Sequence, residues 1–120
     1  MTTNSSAQGY MADARNDKVL VYVNGAFVPR NEAVVSVFDS GFALGDGVWE
    51  GLRLVGGGVP FLREHIERLY EGAKAIFMDV GVTPQELVAR IFDCIAANKM
   101  EDGVHVRLMV TRGVKSTPYQ

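Results

Sequence analysis

The sequence predicts an α+β domain, a mainly antiparallel sheet with two helices packed on one face, and three observations carry that prediction. An Asn24-Gly25 pair stands between two short apolar runs. Two segments, Val48 to Val55 and Val104 to Thr111, alternate side chains with a period of two. Two amphipathic helical patterns lie between those segments. Strands before and after a helix pair, with no internal repeat, favour helices gathered on one side of a sheet.

The elements follow in order. Met1 to Asp17 is rich in Ser, Thr, Asn and Ala without periodicity and reads as a mobile tail (1–17), which leaves 18–120 as the folded domain. Val19 to Val23 and Ala26 to Val28 flank Asn24-Gly25, whose residues tolerate the positive φ of a tight hairpin turn. Val34 to Phe38 is expected to form a further short strand, and the glycine-rich stretch after it to form a loop. In the strand Val48 to Val55 one face carries Val48, Glu50, Leu52 and Leu54, the other Trp49, Gly51, Arg53 and Val55. Gly56, Gly57 and Gly58 turn the chain into Val59 to Leu62.

Helical periodicity begins at about Arg63, with Ile66, Leu69, Tyr70, Ala73, Ile76 and Phe77 recurring at steps of three and four. A second helix opens on Thr83 as N-cap, Pro84 at the first helical position and Glu86 completing a capping box. Its buried stripe is Leu87, Val88, Ile91, Phe92 and Ile95. After Asp102-Gly103 a last strand alternates Val104, Val106, Leu108 and Val110 with His105, Arg107, Met109 and Thr111. Arg112 to Gln120 reads as a loop.

Composition narrows the function classes. At 120 residues, 48% hydrophobic and 22% charged, the chain is one ordinary globular domain. A net charge of −2 offers no basic field to nucleic acid or to an anionic membrane. The one cysteine, Cys94, falls within an apolar helical pattern, where a buried reduced thiol is expected. No apolar run approaches the roughly twenty residues that span a bilayer, and the first residues lack the apolar centre of a secretory signal. A soluble, cytoplasmic protein is expected.

Three groups could carry chemistry. Trp49, Gly51 and Arg53, successive on one strand face, form a shelf for something flat and anionic, or else a buried Trp, a spacing glycine and an edge Arg. Arg68 shares a helix stripe with His65 and Gly72; an Arg among acids is commonly just solvated, while the missing side chain at Gly72 leaves room for a ligand's approach. Arg107 and His105 face water or, if their strand lies beside Val48 to Val55, a second carboxylate-binding wall. Gly45, Gly47 and Gly51 do not fit the G-x-G-x-x-G spacing, and a strand follows where a dinucleotide fingerprint needs a helix. His65, His105 and Cys94 show no metal-ligand spacing. Asp39 and Asp46 bracket the glycine loop as caps or turn residues.

Four motifs in order, VYVNGAFVP, DSGFALGDGVWEGLR, PFLREHIERLYEGAKAI and HVRLMVTRG, make the chain from about Val19 onward similar to the fold-type IV pyridoxal-phosphate enzymes. These are the class IV aminotransferases, with branched-chain and D-amino-acid aminotransferases and aminodeoxychorismate lyases among them. The resemblance implies that this is the family's small N-terminal domain and that pyridoxal 5'-phosphate is the cofactor. It implies that Arg68 binds the cofactor phosphate, and that Trp49, Gly51 and Arg53 line the substrate's side-chain and carboxylate region. Arg107 matches an arginine that holds a distal carboxylate, with His105 beside it. Leu44 and the loop from Arg112 match segments that reach the neighbouring subunit's site in family dimers.

The EGLR stretch looks more like the branched-chain group, since the D-amino-acid group tends to carry Val and Lys at the positions of Gly51 and Arg53. Leu44 and His105 stand where a tyrosine is common, and Trp49 replaces a smaller aromatic. The implied activity is amino transfer between an amino acid and a 2-oxo acid. A D-amino-acid or amine transaminase, a lyase of the same fold, or a non-catalytic scaffolding domain are the other readings. The family's cofactor-bearing lysine belongs to a large C-terminal domain expected to be absent from this chain. Lys18, Lys74, Lys99 and Lys115 do not match it, so the chain alone is expected not to transaminate.

Overall fold

The computed structural model describes residues 12–116. The expected tail falls largely on residues 1–11, and the end of the expected loop on 117–120, both outside the described residues. The described residues divide into two compact units, with the boundary between Ala33 and Val34.

In the first unit Asp13 caps a short 3-10 turn, Ala14–Asn16, by accepting from the Arg15 amide, so order begins inside the stretch read as tail. Strands β1 (Leu20–Val23) and β2 (Ala26–Pro29) then form the expected hairpin, in the register Leu20 to Pro29 through Val23 to Ala26. Asn24 and Gly25 make its two-residue turn with φ of 49° and 94°. Tyr22 and Phe27, directly opposed, meet edge to face at 5.4 Å between centroids.

The second unit departs from expectation at once. Val34 to Phe38 forms no strand: Val34, Val35 and Val37 are exposed, and only Phe38 O, accepting from Lys115 N, and the adjoining Asp39–Val114 bridge tie this end of the segment to a neighbour. β-branched residues without a partner strand have no ladder to join. The glycine-rich stretch holds a short helix, α1 (Ser40–Leu44), in place of the expected loop. Asp39 caps its start by accepting from Gly41 N, and Gly45, at φ 66°, ends it in the left-handed region. Asp39 also accepts from Thr111 Oγ1 at 3.1 Å, which ties the start of α1 to the end of the last strand.

Strands β3 (Gly47–Leu54) and β4 (Val104–Thr111) pair antiparallel along their whole length, from Gly47 opposite Thr111 to Leu54 opposite Val104. The sheet component is thus two separate two-stranded ribbons. Helices α2 (Leu62–Ala75) and α3 (Pro84–Ala97) contribute to one core with the inner face of β3: Leu52, Ile66, Leu69, Leu87 and Ile91 are buried together, with Val106 and Leu108 of β4 against them. That arrangement is the α+β fold expected. The α3 capping box forms as read, Thr83 Oγ1 accepting from Glu86 N while the Glu86 carboxylate accepts from Thr83 N. Phe92 stays partly exposed, and Cys94 is half-buried where burial was expected.

The α2 stripe is one turn shorter than its periodicity. Phe77 takes the left-handed position just past the helix, φ 56°, and points into solvent at 93% exposure. Met78 behind it donates its amide to Ala73 O and buries its side chain, the apolar contact that accompanies such a helix end. Gly72 also has a different use from the one expected. A Cβ there would lie 3.2 Å from Val48 Cγ1, so its bareness seats α2 against β3 and opens no ligand space.

Candidate functional site

Both faces of β3 carry chemistry. On the outer face the ladder sets Trp49 opposite Met109, Gly51 opposite Arg107 and Arg53 opposite His105. The condition left open by the sequence, that the two alternating strands lie side by side, is met. Trp49 and Met109 are each 56% exposed, and Arg53, His105 and Arg107 are exposed as well. Arg107 reaches diagonally across the ladder, placing Cζ 4.0 Å from the centroid of the Trp49 ring. A Cβ at residue 51 would meet His105 Cε1 at 3.0 Å and Trp49 Cζ3 at 3.8 Å. Gly51 is therefore the slot over which the imidazole lies, and any side chain there would move it. Among the described residues neither Arg53 nor Arg107 has a carboxylate partner. The row is an aromatic and cationic surface suited to a small carboxylate with an apolar body.

Arg68 does not join that row. It projects from α2 to the inner side of β3, where Nε donates to Glu50 Oε2 at 2.8 Å and Nη2 to Oε1 at 2.7 Å. His65, one turn earlier on α2, places Nδ1 2.6 Å from the same Oε1. Glu50 is 3% exposed, an acid among Val48, Leu52 and Leu54. The Arg68 hydrogen bonds hold its carboxyl at about 2, with burial opposing and His65 adding to the effect. Sequence reasoning put Glu50 on the apolar face without giving it a role. The signal was present, since a carboxylate within a buried strand face must find partners, and a His and an Arg three positions apart on the facing helix supply them.

Leu44 ends α1 and is exposed. Arg112, read only as the start of a loop, is a tie. It grips Asp46 through Nε at 2.6 Å and Nη2 at 3.2 Å, and donates to Ile76 O and Phe77 O at the C-terminal end of α2. The Arg112 hydrogen bonds hold the Asp46 carboxyl below the usual range. Asp39 and Asp46 thus serve as cap and tie. Among the described residues no group of three side chains could hold a metal ion and no helix is long and apolar enough to cross a membrane.

A two-stranded ribbon backed by two helices, with an exposed aromatic and cationic face and a carboxylate-braced arginine at its side, defines a small α+β domain. The chain belongs to the class IV aminotransferase family, whose sequence profile, Amino-transferase class IV, matches residues 47–118. It is 46% identical over 102 residues to branched-chain-amino-acid aminotransferase-like protein 2 of Arabidopsis thaliana, covering 85% of this chain and 18% of that protein. It is 41% identical over 96 residues to the D-alanine aminotransferase of Listeria innocua, covering 80% and 33%. Among solved structures it superposes with a TM-score of 0.73 on the branched-chain aminotransferase of the thermophilic archaeon Thermoproteus uzoniensis with norvaline, at 30% identity over 83% of this chain and 35% of that one. The chain thus spans a third or less of the length of these curated relatives.

Proposed function

We propose that the protein transfers an amino group between an amino acid, branched-chain in preference, and a 2-oxo acid, with pyridoxal 5'-phosphate as cofactor, and that residues 18–120 are its small substrate- and phosphate-binding domain. The observation that carries this reading is the outer face of β3–β4. Two arginines without carboxylate partners and an exposed tryptophan, in a member of this family, fit an amino or oxo acid with an apolar side chain.

The residues fit the cofactor as well. Arg68 spends only Nε and one side of Nη2 on Glu50, which leaves Nη1 and the rest of Nη2 for a dianion, and a guanidinium fork suits a phosphate. When bound, the cofactor supplies an electron sink for the substrate's α-carbon. This chain would anchor the phosphate at Arg68, hold carboxylate at Arg53 and Arg107, and offer Trp49 as the wall for an aliphatic side chain. His105, seated over Gly51, would shape that wall. Positioning of this kind is a large share of what a binding domain contributes to rate. Leu44 and the loop from Arg112 would reach the partner subunit's site in a homodimer. A cytoplasmic setting, in which the lone Cys94 stays reduced, completes the reading.

The D-alanine aminotransferase relative favours a second reading, a D-amino-acid transaminase. Assay of the whole gene product with L-leucine and with D-alanine separates the two. Activity on L-leucine is expected, and activity confined to D-alanine would replace the first reading with the second.

A further inference from the structure

We propose that Glu50 is a positioning residue, which from the buried face of β3 fixes the Arg68 guanidinium so that its unspent end presents Nη1 and Nη2 together to a phosphate. The inference rests on the reading of Arg68 as the phosphate anchor and adds what aims it.

The geometry is that of a fork gripped along one edge. An arginine can bind an oxyanion side-on, through Nε and one Nη, or end-on, through both Nη atoms. Glu50 takes the side-on edge with both of its oxygens, at 2.8 and 2.7 Å. The end-on edge has no protein partner among the described residues, and the Arg68 side chain is 71% exposed. The gripping group itself cannot swing. Its side chain is 4% exposed and sits on a strand, and His65 holds Oε1 from a second direction at 2.6 Å. Gly72, one turn beyond Arg68, lets α2 sit against Val48 and so brings an arginine on the helix within reach of a carboxylate on the strand.

Stability does not account for an acid at this position. Leu52 and Leu54 on the same face are wholly buried, and an apolar side chain at residue 50 would continue their surface without the cost of burying a charge. What an acid adds is direction. A free arginine loses rotamer freedom when it binds an anion, and one already held loses less. The same carboxylate would also return Arg68 to one pose after the phosphate leaves.

The test compares the parent chain with Glu50→Gln and Arg68→Ala, each titrated with inorganic phosphate while the backbone amides of α2 report binding by NMR and, where Arg68 is present, its Nε–H signal is followed as well. In the parent this signal is expected to exchange slowly with solvent. Glu50→Gln, similar in size, should release it to fast exchange and weaken phosphate binding about tenfold, the order by which removing the partner behind a metal-ligating side chain weakens metal binding. Arg68→Ala should abolish the response. Loss in Arg68→Ala with unchanged or tighter binding in Glu50→Gln would overturn the role of Glu50 and leave Arg68 as the anchor. An undiminished response in Arg68→Ala would overturn the anchor and the inference with it. Should Glu50→Gln not fold, Glu50→Asp withdraws the carboxylate by one methylene and is read the same way. A freely exchanging Arg68 signal in the parent would refute the proposal without any variant.

Discussion

The two faces of β3 treat charge in opposite ways. The inner face carries one charged residue, Glu50, and answers it with Arg68 and His65 within hydrogen-bonding distance. The outer strand face gathers Arg53 and Arg107, with His105 opposite Arg53, and meets them with a tryptophan ring and solvent. Burial explains why the first is partnered, because a buried carboxylate must find hydrogen-bond donors. It does not explain the second, because a ribbon needs no cluster of like charge on its open side. Where a charge has its partner within the chain it organises the chain.

The largest expected effect that sharpens this contrast is on the inner face. Leu52→Ala, at a wholly buried position, should cost about 2–5 kcal/mol of stability, measured by urea unfolding. Trp49→Ala, three residues earlier on the outer face, should stay within about 1 kcal/mol of the parent and lose carboxylate binding instead. If the two variants destabilise alike, the faces are not different in kind.

The next effect is a pH dependence. Glu50 has its carboxyl lowered from 4.5 to about 2 by Arg68, so its ionised form is favoured in the folded state. The stability it contributes is complete above 4.5 and is lost as the pH falls through about 2. Thermal unfolding of the parent and of Glu50→Gln should therefore differ by a constant margin down to about pH 4.5 and converge toward pH 2. A margin that does not change across that range would detach Glu50 from Arg68.

A smaller effect belongs to Gly51. Gly51→Ala places a methyl against His105 Cε1, and the exposed imidazole can yield, so stability should shift by no more than about 1 kcal/mol. The imidazole resonances should move and carboxylate affinity should fall. The smallest is Arg107→Ala, which removes a cation from over the only tryptophan and should alter Trp49 fluorescence while changing stability by about 0.5 kcal/mol.

Much of this contrast could be read in the sequence, because the period of two assigns faces before any contact is known. Trp49, Gly51 and Arg53 fell on one side and Leu52 and Leu54 on the other, and the hairpin turn and the α3 capping box were legible from local residues. What the sequence hid depended on distance or brevity. The Glu50–Arg68 pair joins residues eighteen apart in the chain. Helix α1, five residues long, is too short to show a period. Phe77 fits the helical stripe by spacing and leaves it because the helix end needs a left-handed residue there and Met78 takes the apolar contact. Gly72 looked like space for a ligand and is space for Val48.

The most direct test of the outer face as the ligand face is a chemical-shift map of the chain titrated with a short branched 2-oxo carboxylate. The changes are expected at Trp49, Gly51, Arg53, His105 and Arg107, with the amides of Leu52 and Leu54 following only as their neighbours move. Shifts scattered over the exposed lysines, or absent from Arg53 and Arg107, would contradict the account.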